Sequence, residues 1–233
     1  MFGSPAWQAV QLSWEQAEDA DDQVERVELA LRLEPGMRVL DVPCGTGRIA
    51  TRLAARGYEV VGVDLTERFL EVGRARHDGV EYARADMRDL RFEREFDAAI
   101  CLWGSFGYFD HEGNLAQASS VARALRQGGR FLLDALSHEA ITSGFREHEH
   151  YEVGETTVVE ERSWNATGER IETTWTFLRG GDRTERRSSM RLYTLRELTD
   201  LLARGGFGSF EARGDDLEPF GPASTRLWLL ATV

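Results

Sequence analysis

The chain contains no lysine: all 28 basic residues are arginine, set against 40 acidic ones for a net charge of −12. The arginines are interspersed with acids, as in Arg183-Thr184-Glu185-Arg186-Arg187, and form no basic stripe. A phosphate backbone therefore finds little to attract it, and nucleic acid is not an expected partner. Cysteine is nearly absent, with only Cys44 and Cys101 and no CxxC spacing. That excludes a disulfide framework and leads us to expect free thiols and a cytoplasmic setting. No apolar run approaches the ~18 residues of a membrane span. The opening Met1-Phe2-Gly3-Ser4-Pro5 lacks the basic-then-apolar pattern of a signal peptide. His77, His111, His138, His148 and His150 are too scattered to suggest a metal set, so no metal is expected.

What is present is ample material for one core: 233 residues, 42% hydrophobic. Trp7 and Trp14 lie two helical turns apart and read as packing residues. Val24, Val27 and Leu31 mark a helix that Pro35-Gly36 ends. From Arg38 onward, short apolar runs alternate with helical stretches. Strands are predicted at 38–42, 59–64, 80–85, 96–103 and 130–134, and the fourth helix at about 114–127. Such alternation implies right-handed crossovers and a parallel sheet covered on both faces.

The rhythm breaks between about Phe145 and Tyr193. Three alternating strands, near 156–164, 170–178 and 184–192, read as an antiparallel meander with Gly turns. Its second strand puts Ile171, Thr173, Trp175 and Phe177 on one side, an apolar face that must be covered. Thr194 and Glu197 then have the spacing of a capping box. Two final strands, near 207–212 and 226–233, are joined too closely for a helical crossover and should pair antiparallel. The expected organisation is a parent domain of residues 1–144 and 194–233, with 145–193 inserted as a substrate lid.

The informative stretch is Val39-Leu40-Asp41-Val42-Pro43-Cys44-Gly45-Thr46-Gly47-Arg48, a strand feeding a glycine loop and a helix. Gly45 and Gly47 allow a sharp turn and close backbone approach. The helix N-terminus welcomes a carboxylate, and Asp41 is placed to meet an ammonium. Asp64, 23 residues after Asp41, ends the second strand, where an acid accepts from both hydroxyls of a ribose. Asp86 ends the third strand and is placed to accept from an adenine amine, with Leu65 and Met87 to sandwich the base. Taken alone, Gly45-x-Gly47-x-x-Ala50 also satisfies a dinucleotide fingerprint, so an NAD-dependent oxidoreductase stays open at this point. Asp41, Asp86 and the antiparallel C-terminal pair favour an adenosyl amino acid.

The successive segments Leu40 to Gly47, Gly62-Val63-Asp64, Ala85-Asp86-Met87 and Leu125 to Arg130 resemble the motifs of class I S-adenosylmethionine-dependent methyltransferases. The resemblance extends over nearly the whole chain. The most similar members also carry a β-insert after strand five and a Tyr-Thr-Leu-x-Glu-Leu segment, matched here by Tyr193 to Leu198. It implies an α/β, doubly wound, seven-stranded sheet of order 3-2-1-4-5-7-6 with strand seven antiparallel, plus the small β-insert. It implies S-adenosylmethionine as cofactor, held by Asp41, Pro43, Cys44, Gly45, Thr46, Gly47, Arg48, Asp64, Leu65, Asp86, Met87, Leu102 and Trp103. Pro43 departs from the glycine many members have there. It has no N–H, so carboxylate donors are expected from residues just beyond it.

Two side chains are candidates for the chemistry. Tyr108 follows strand four in Trp103-Gly104-Ser105-Phe106-Gly107-Tyr108-Phe109, where the methyl should project. Similar aminosugar N-methyltransferases have His at that place. His138 follows strand five and is a candidate base. No clear base constellation is visible, which favours a nitrogen acceptor over a hydroxyl. The expected partner is a small-molecule methyl acceptor, with the chain as monomer or homodimer. An O-methyltransferase and a noncatalytic nucleotide-binding regulator remain as alternatives.

Overall fold

The computed structural model describes residues 20–76 and 79–233, together with Trp7, Gln8, Val10 and Leu12. Trp14 and His77 lie outside the described residues. The elements of the parent domain are helix α1 (Ala20–Leu31), strand β1 (Arg38–Asp41), α2 (Arg48–Ala55), β2 (Glu59–Asp64), α3 (Glu67–Arg76), β3 (Val80–Arg84), β4 (Phe96–Cys101), α4 (His111–Ala124) and β5 (Leu125–Leu136). After a short helix α5 (His138–Ser143) come β6 (His148–Val153), β7 (Thr156–Trp164), β8 (Arg170–Arg179) and β9 (Asp182–Arg191). Helix α6 (Leu195–Gly205) and strands β10 (Ser209–Arg213) and β11 (Arg226–Thr232) complete the chain.

Seven strands form one sheet in the order β10-β11-β5-β4-β1-β2-β3. The pairs from β3 through β5 are parallel, and β11 runs antiparallel between β5 and β10. This is the predicted 3-2-1-4-5-7-6 topology, because β10 and β11 are the sixth and seventh strands once the insert is set aside. Period-two alternation sends the strand side chains to two faces. Leu40, Val61, Ala99 and Leu133 pack with Ala118 and Val121 of α4 and Leu198 and Leu202 of α6. Val39, Val60, Ile100 and Leu132 pack on the other face with Val24 and Val27 of α1 and Ile49 and Leu53 of α2. Buried on both sides, the strands read as continuous apolar runs.

Helix α6 starts as predicted. The Thr194 hydroxyl accepts from Glu197 N–H at 3.3 Å, and the Glu197 carboxylate accepts from Thr194 N–H at 2.9 Å. The predicted end of the fourth helix is wrong by about one turn. Helix α4 stops at Ala124 because Leu125 turns extended (φ −80°, ψ 145°) and joins the sheet opposite Phe96. Gly128-Gly129 falls inside β5, in a register shift, rather than closing the helix.

The insert is a separate sheet of four strands, β6-β7-β8-β9, one more than predicted. The added strand β6 is an edge strand, His148-Glu-His-Tyr-Glu-Val153, too polar to announce itself. The apolar side of the meander is covered by the N-terminal segment: Trp7 and Val10 pack with Val153, Val158 and Phe177. The Trp7 ring meets Trp175 edge-on at 4.9 Å. Among the described residues no helix is long and apolar enough to cross a membrane.

Candidate functional site

The carboxyl ends of β1, β2 and β4 converge on one edge of the large sheet, where open α/β sheets take their ligands. The loop from Val42 to Gly47 is tied down by its own amides. Cys44 N–H donates to Val63 O and Gly47 N–H to Cys44 O, both at 2.9 Å. Gly45 N–H donates to Asp64 Oδ2 at 3.0 Å. Three amides just beyond Pro43 therefore point into the protein, and the expectation that these would receive a ligand carboxylate finds them already used. Cys44 is buried, and burial pushes its thiol well up, which suits a packing role.

The two loop glycines serve different ends. Gly45 sits at φ +56° with nothing within 4 Å of where a Cβ would project, so a ligand can approach its backbone. Gly47 sits at φ +75°, and a Cβ there would stand 1.9 Å from the Tyr82 hydroxyl. Gly62 and Gly73 also lack room for a Cβ against the Tyr82 ring. The missing side chain at Gly47 makes space for Tyr82. Thr46 is buried and accepts from Arg76 Nη1 at 2.8 Å.

Asp41 is buried at the end of β1. Burial, and then the charge of Asp64, push its carboxyl up to about 8, against the Ala50 N–H that it accepts. Asp64 is also raised by burial, opposed by the backbone N–H groups of Thr66 and Gly45. Its Oδ1 accepts from Thr66 N–H at 2.7 Å. Each oxygen thus carries one backbone bond and keeps capacity for another, as a carboxylate has about four acceptor sites. Leu65, 59% exposed, offers apolar surface beside it. Met87 is partly buried against the core.

Asp86 is differently placed. Its two oxygens take the Arg88 guanidinium at 2.6–3.2 Å, and Oδ1 also takes Arg88 N–H at 2.9 Å. The arginine holds the carboxyl below its usual range. A base amine would share Asp86 with Arg88, whose guanidinium also lies over the Phe109 ring at 4.3 Å.

Leu102 is buried, and the chain then turns left-handed at Trp103, φ +63°, a conformation rare outside glycine. Asp134 enforces it: Oδ2 accepts Trp103 N–H at 2.9 Å, and Arg226 holds both carboxylate oxygens at 2.6 and 2.8 Å. The Trp103 ring is 46% exposed and lies under the Arg48 guanidinium at 4.2 Å, which also bonds Gln23. Arg48, the buried first residue of α2, and Trp103, on the loop after β4, form one stacked pair.

Tyr108 is half-buried, and burial pushes its phenol up to about 12. It is protonated near neutrality, suited to donate a hydrogen bond and unsuited to act as a base. His138 opens helix α5, an element the sequence reading did not contain, and is half-buried there. Arg170 was missed. From β8 it reaches the carbonyls of the loop bearing Tyr108, with Nη1 on Phe109 O at 2.9 Å. An arginine on the polar face of a strand gives no sequence signal beyond solvation. Among the described residues no group of three His, Cys, Asp or Glu is arranged to hold a metal.

Residues 39–129 match a family described as a methyltransferase domain. A demethylmenaquinone methyltransferase of Clavibacter sepedonicus is 37% identical over 119 residues, 48% of this chain and 47% of that protein. The chain spans about half the length of the curated relatives it matches. An S-adenosylmethionine-dependent methyltransferase from Clostridium acetobutylicum shares the fold with a TM-score of 0.80 at 19% identity, over 93% of this chain and 92% of that one. An amino pentose methyltransferase from Micromonospora echinaspora does so with a TM-score of 0.68 at 22% identity, over 94% of each chain. The chain has the fold of these S-adenosylmethionine-dependent methyltransferases, and its residues 39–129 match the methyltransferase-domain family.

Proposed function

We propose that the protein transfers a methyl group from S-adenosylmethionine to a nitrogen atom of a small molecule. The observation that carries this reading is Asp64. A buried carboxylate at the end of β2 is held by one backbone N–H on each oxygen, beside a left-handed Gly45 whose outer side is open. That arrangement fits two ribose hydroxyls. The match to a methyltransferase domain favours this over the oxidoreductase alternative for the same glycines.

When bound, the cofactor supplies an electrophilic methyl on a positively charged sulfur. The chain's residues have the remaining work. Asp64 holds the ribose, and Leu65 and Met87 bracket the base. With the Cys44, Gly45 and Gly47 amides spent, the Arg48 guanidinium on Trp103 is a group suited to the cofactor's carboxylate, a charged hydrogen bond of the stronger kind. Buried Asp41 is placed for the cofactor's ammonium, whose charge would draw its raised carboxyl back down. Tyr108 donates to the acceptor and aligns it, alignment being able to supply much of the rate. A neutral amine attacks without a protein base and loses its proton to water afterwards. The protonated state of Tyr108 supports this over a hydroxyl acceptor, which needs a base.

The test is incubation with methyl-labelled S-adenosylmethionine and a panel of small primary and secondary amines beside matched alcohols and phenols. Label in the amines, with S-adenosylhomocysteine released in equal amount, is the expected result. Label in hydroxyl compounds alone would refute nitrogen transfer. A melting temperature raised by NAD and not by S-adenosylhomocysteine would refute the whole reading.

A further inference from the structure

We propose that Arg170 is a positioning residue that latches the inserted sheet to the loop carrying Tyr108. The proposal rests on the functional reading above and gives the insert a specific task within it. The Arg170 guanidinium spends its donors on uncharged oxygens. Nη1 meets Phe109 O at 2.9 Å, and Nη2 points between Gly107 O and Tyr108 O at 3.4 and 3.5 Å. Three consecutive carbonyls thus curl around one planar fork, a geometry that arginine satisfies and a point-charge ammonium does not.

The fork is itself anchored in the insert. Nε donates to Ser189 Oγ at 2.6 Å and Nη2 to Ser189 O at 3.0 Å, and the Ser189 hydroxyl donates to Glu172 Oε1 at 2.7 Å. A carboxylate from β8 therefore balances the guanidinium through a serine of β9. The loop presses against the same corner. Arg191 N–H donates to Gly107 O at 2.8 Å. A Cβ on Gly107 would stand 2.4 Å from Arg191 O.

On its far side the loop is held by Asn114 of α4. This fully buried amide accepts Phe109 N–H at 3.2 Å and donates to Phe109 O at 3.0 Å and to Tyr193 Oη at 2.8 Å. Tyr108 lies between these two holds, one from the parent domain and one from the insert. Moving the insert moves the carbonyl side of residue 108. An acceptor seated under the insert is thereby coupled to the phenol that must meet it.

The test compares Arg170→Met, Arg170→Lys and Ser189→Ala in the full chain by hydrogen exchange, with S-adenosylhomocysteine affinity as control. In Arg170→Met, amides of residues 103–110 should exchange about tenfold faster or more, the scale on which one hydrogen bond to a charged group acts. Exchange over 39–50 and 59–70 should not change, and S-adenosylhomocysteine should bind within about twofold of wild type. Turnover on the amine panel should fall by about tenfold or more. Arg170→Lys should recover part of both losses, and Ser189→Ala should show a smaller loosening of the same loop. The latch is refuted if loop exchange is unchanged, or if it rises equally across β6–β9. It is also refuted if the loop loosens while turnover is kept. Should wild-type protein fail to bind S-adenosylhomocysteine, the functional reading falls, and loop exchange alone decides the latch.

Discussion

Strands β1, β2, β4 and β5 carry Val, Leu, Ile and Ala on both faces, whereas β6 to β9 bury one patch and thread the rest with Arg and Glu. In the large sheet, burial supplies the stability, at roughly 25 cal/mol per Å² of apolar surface removed from water. In the insert, buried Glu160 accepts the Tyr151 hydroxyl at 2.6 Å and the Arg162 guanidinium, which also reaches Glu149 at 2.7 Å. Pairs of this kind specify geometry more than they stabilise, since the cost of burying a charge offsets much of what the pairing returns. The difference separates two tasks. On the proposed function, the apolar sheet would hold the cofactor loops rigid and the polar sheet would be free to be shaped for an acceptor.

The sharpest break of that contrast is a pair of core truncations. Phe131 of β5, stacked on Phe207 at 5.5 Å, and Phe177 of β8 are both buried. Each change to Ala should cost about 3–5 kcal/mol. Phe131→Ala should lower the main thermal transition and S-adenosylhomocysteine affinity together. Phe177→Ala should loosen β6–β9 and abolish turnover while leaving that affinity within about twofold. Equal loss of affinity in both proteins would show one cooperative unit and end the division.

Second is Asp64→Ala, with Asp64→Asn beside it. The carboxylate carries Gly45 and Thr66 amides and, on our reading, the ribose. Calorimetry should show S-adenosylhomocysteine binding weakened by about 2 kcal/mol or more, from charged hydrogen bonds worth about 1.5–3 each. Unchanged affinity in both variants would remove Asp64 from the site.

Third is Tyr108→Phe, which keeps the ring and removes the phenol. Turnover on the amine panel should fall by about tenfold, with cofactor affinity unchanged. A rate that rises with pH in step with a phenol losing its proton would make Tyr108 a base and overturn its role as a hydrogen-bond donor. Full activity would return the residue to packing.

The contrast also explains what could be read in advance. Strand order, the glycine loop and Asp64 were legible because buried strands and strand-end acids follow local rules of periodicity and position. Strand β6 was not, because an edge strand of His, Glu and Tyr has no apolar alternation to detect. The end of α4 was misjudged because Leu125 gains more by pairing with Phe96 than by continuing a helix. The pairing of Asp86 with Arg88, two residues on, was not foreseen although both residues were in view. The space that Gly47 leaves for Tyr82 was not foreseen because Tyr82 is far away in sequence. Arg170 makes contacts 61 to 63 residues away, and nothing local announces them.

The smallest effect tests the seam between the two regions. Thr194 lies three residues beyond β9 and caps α6, which packs in the parent core through Leu198, Leu201 and Leu202. Its partner Glu197 also meets Arg191 of β9 at 3.2 Å, so cap and insert share one carboxylate. Thr194→Ala removes the hydroxyl that accepts Glu197 N–H and leaves the Glu197 carboxylate to the backbone N–H of residue 194 and to Arg191. Loss of an N-cap costs about 1 kcal/mol. In a chain of this size that lowers Tm by about 2–4 °C. Because the cap lies on the parent side of the seam, S-adenosylhomocysteine affinity and exchange over 103–110 should stay at wild-type values. If that loop instead loosens as it does in Arg170→Met, strain at the seam passes through Arg191 to Gly107. The insert would then be mechanically continuous with the parent sheet, and the two regions could not be tuned apart.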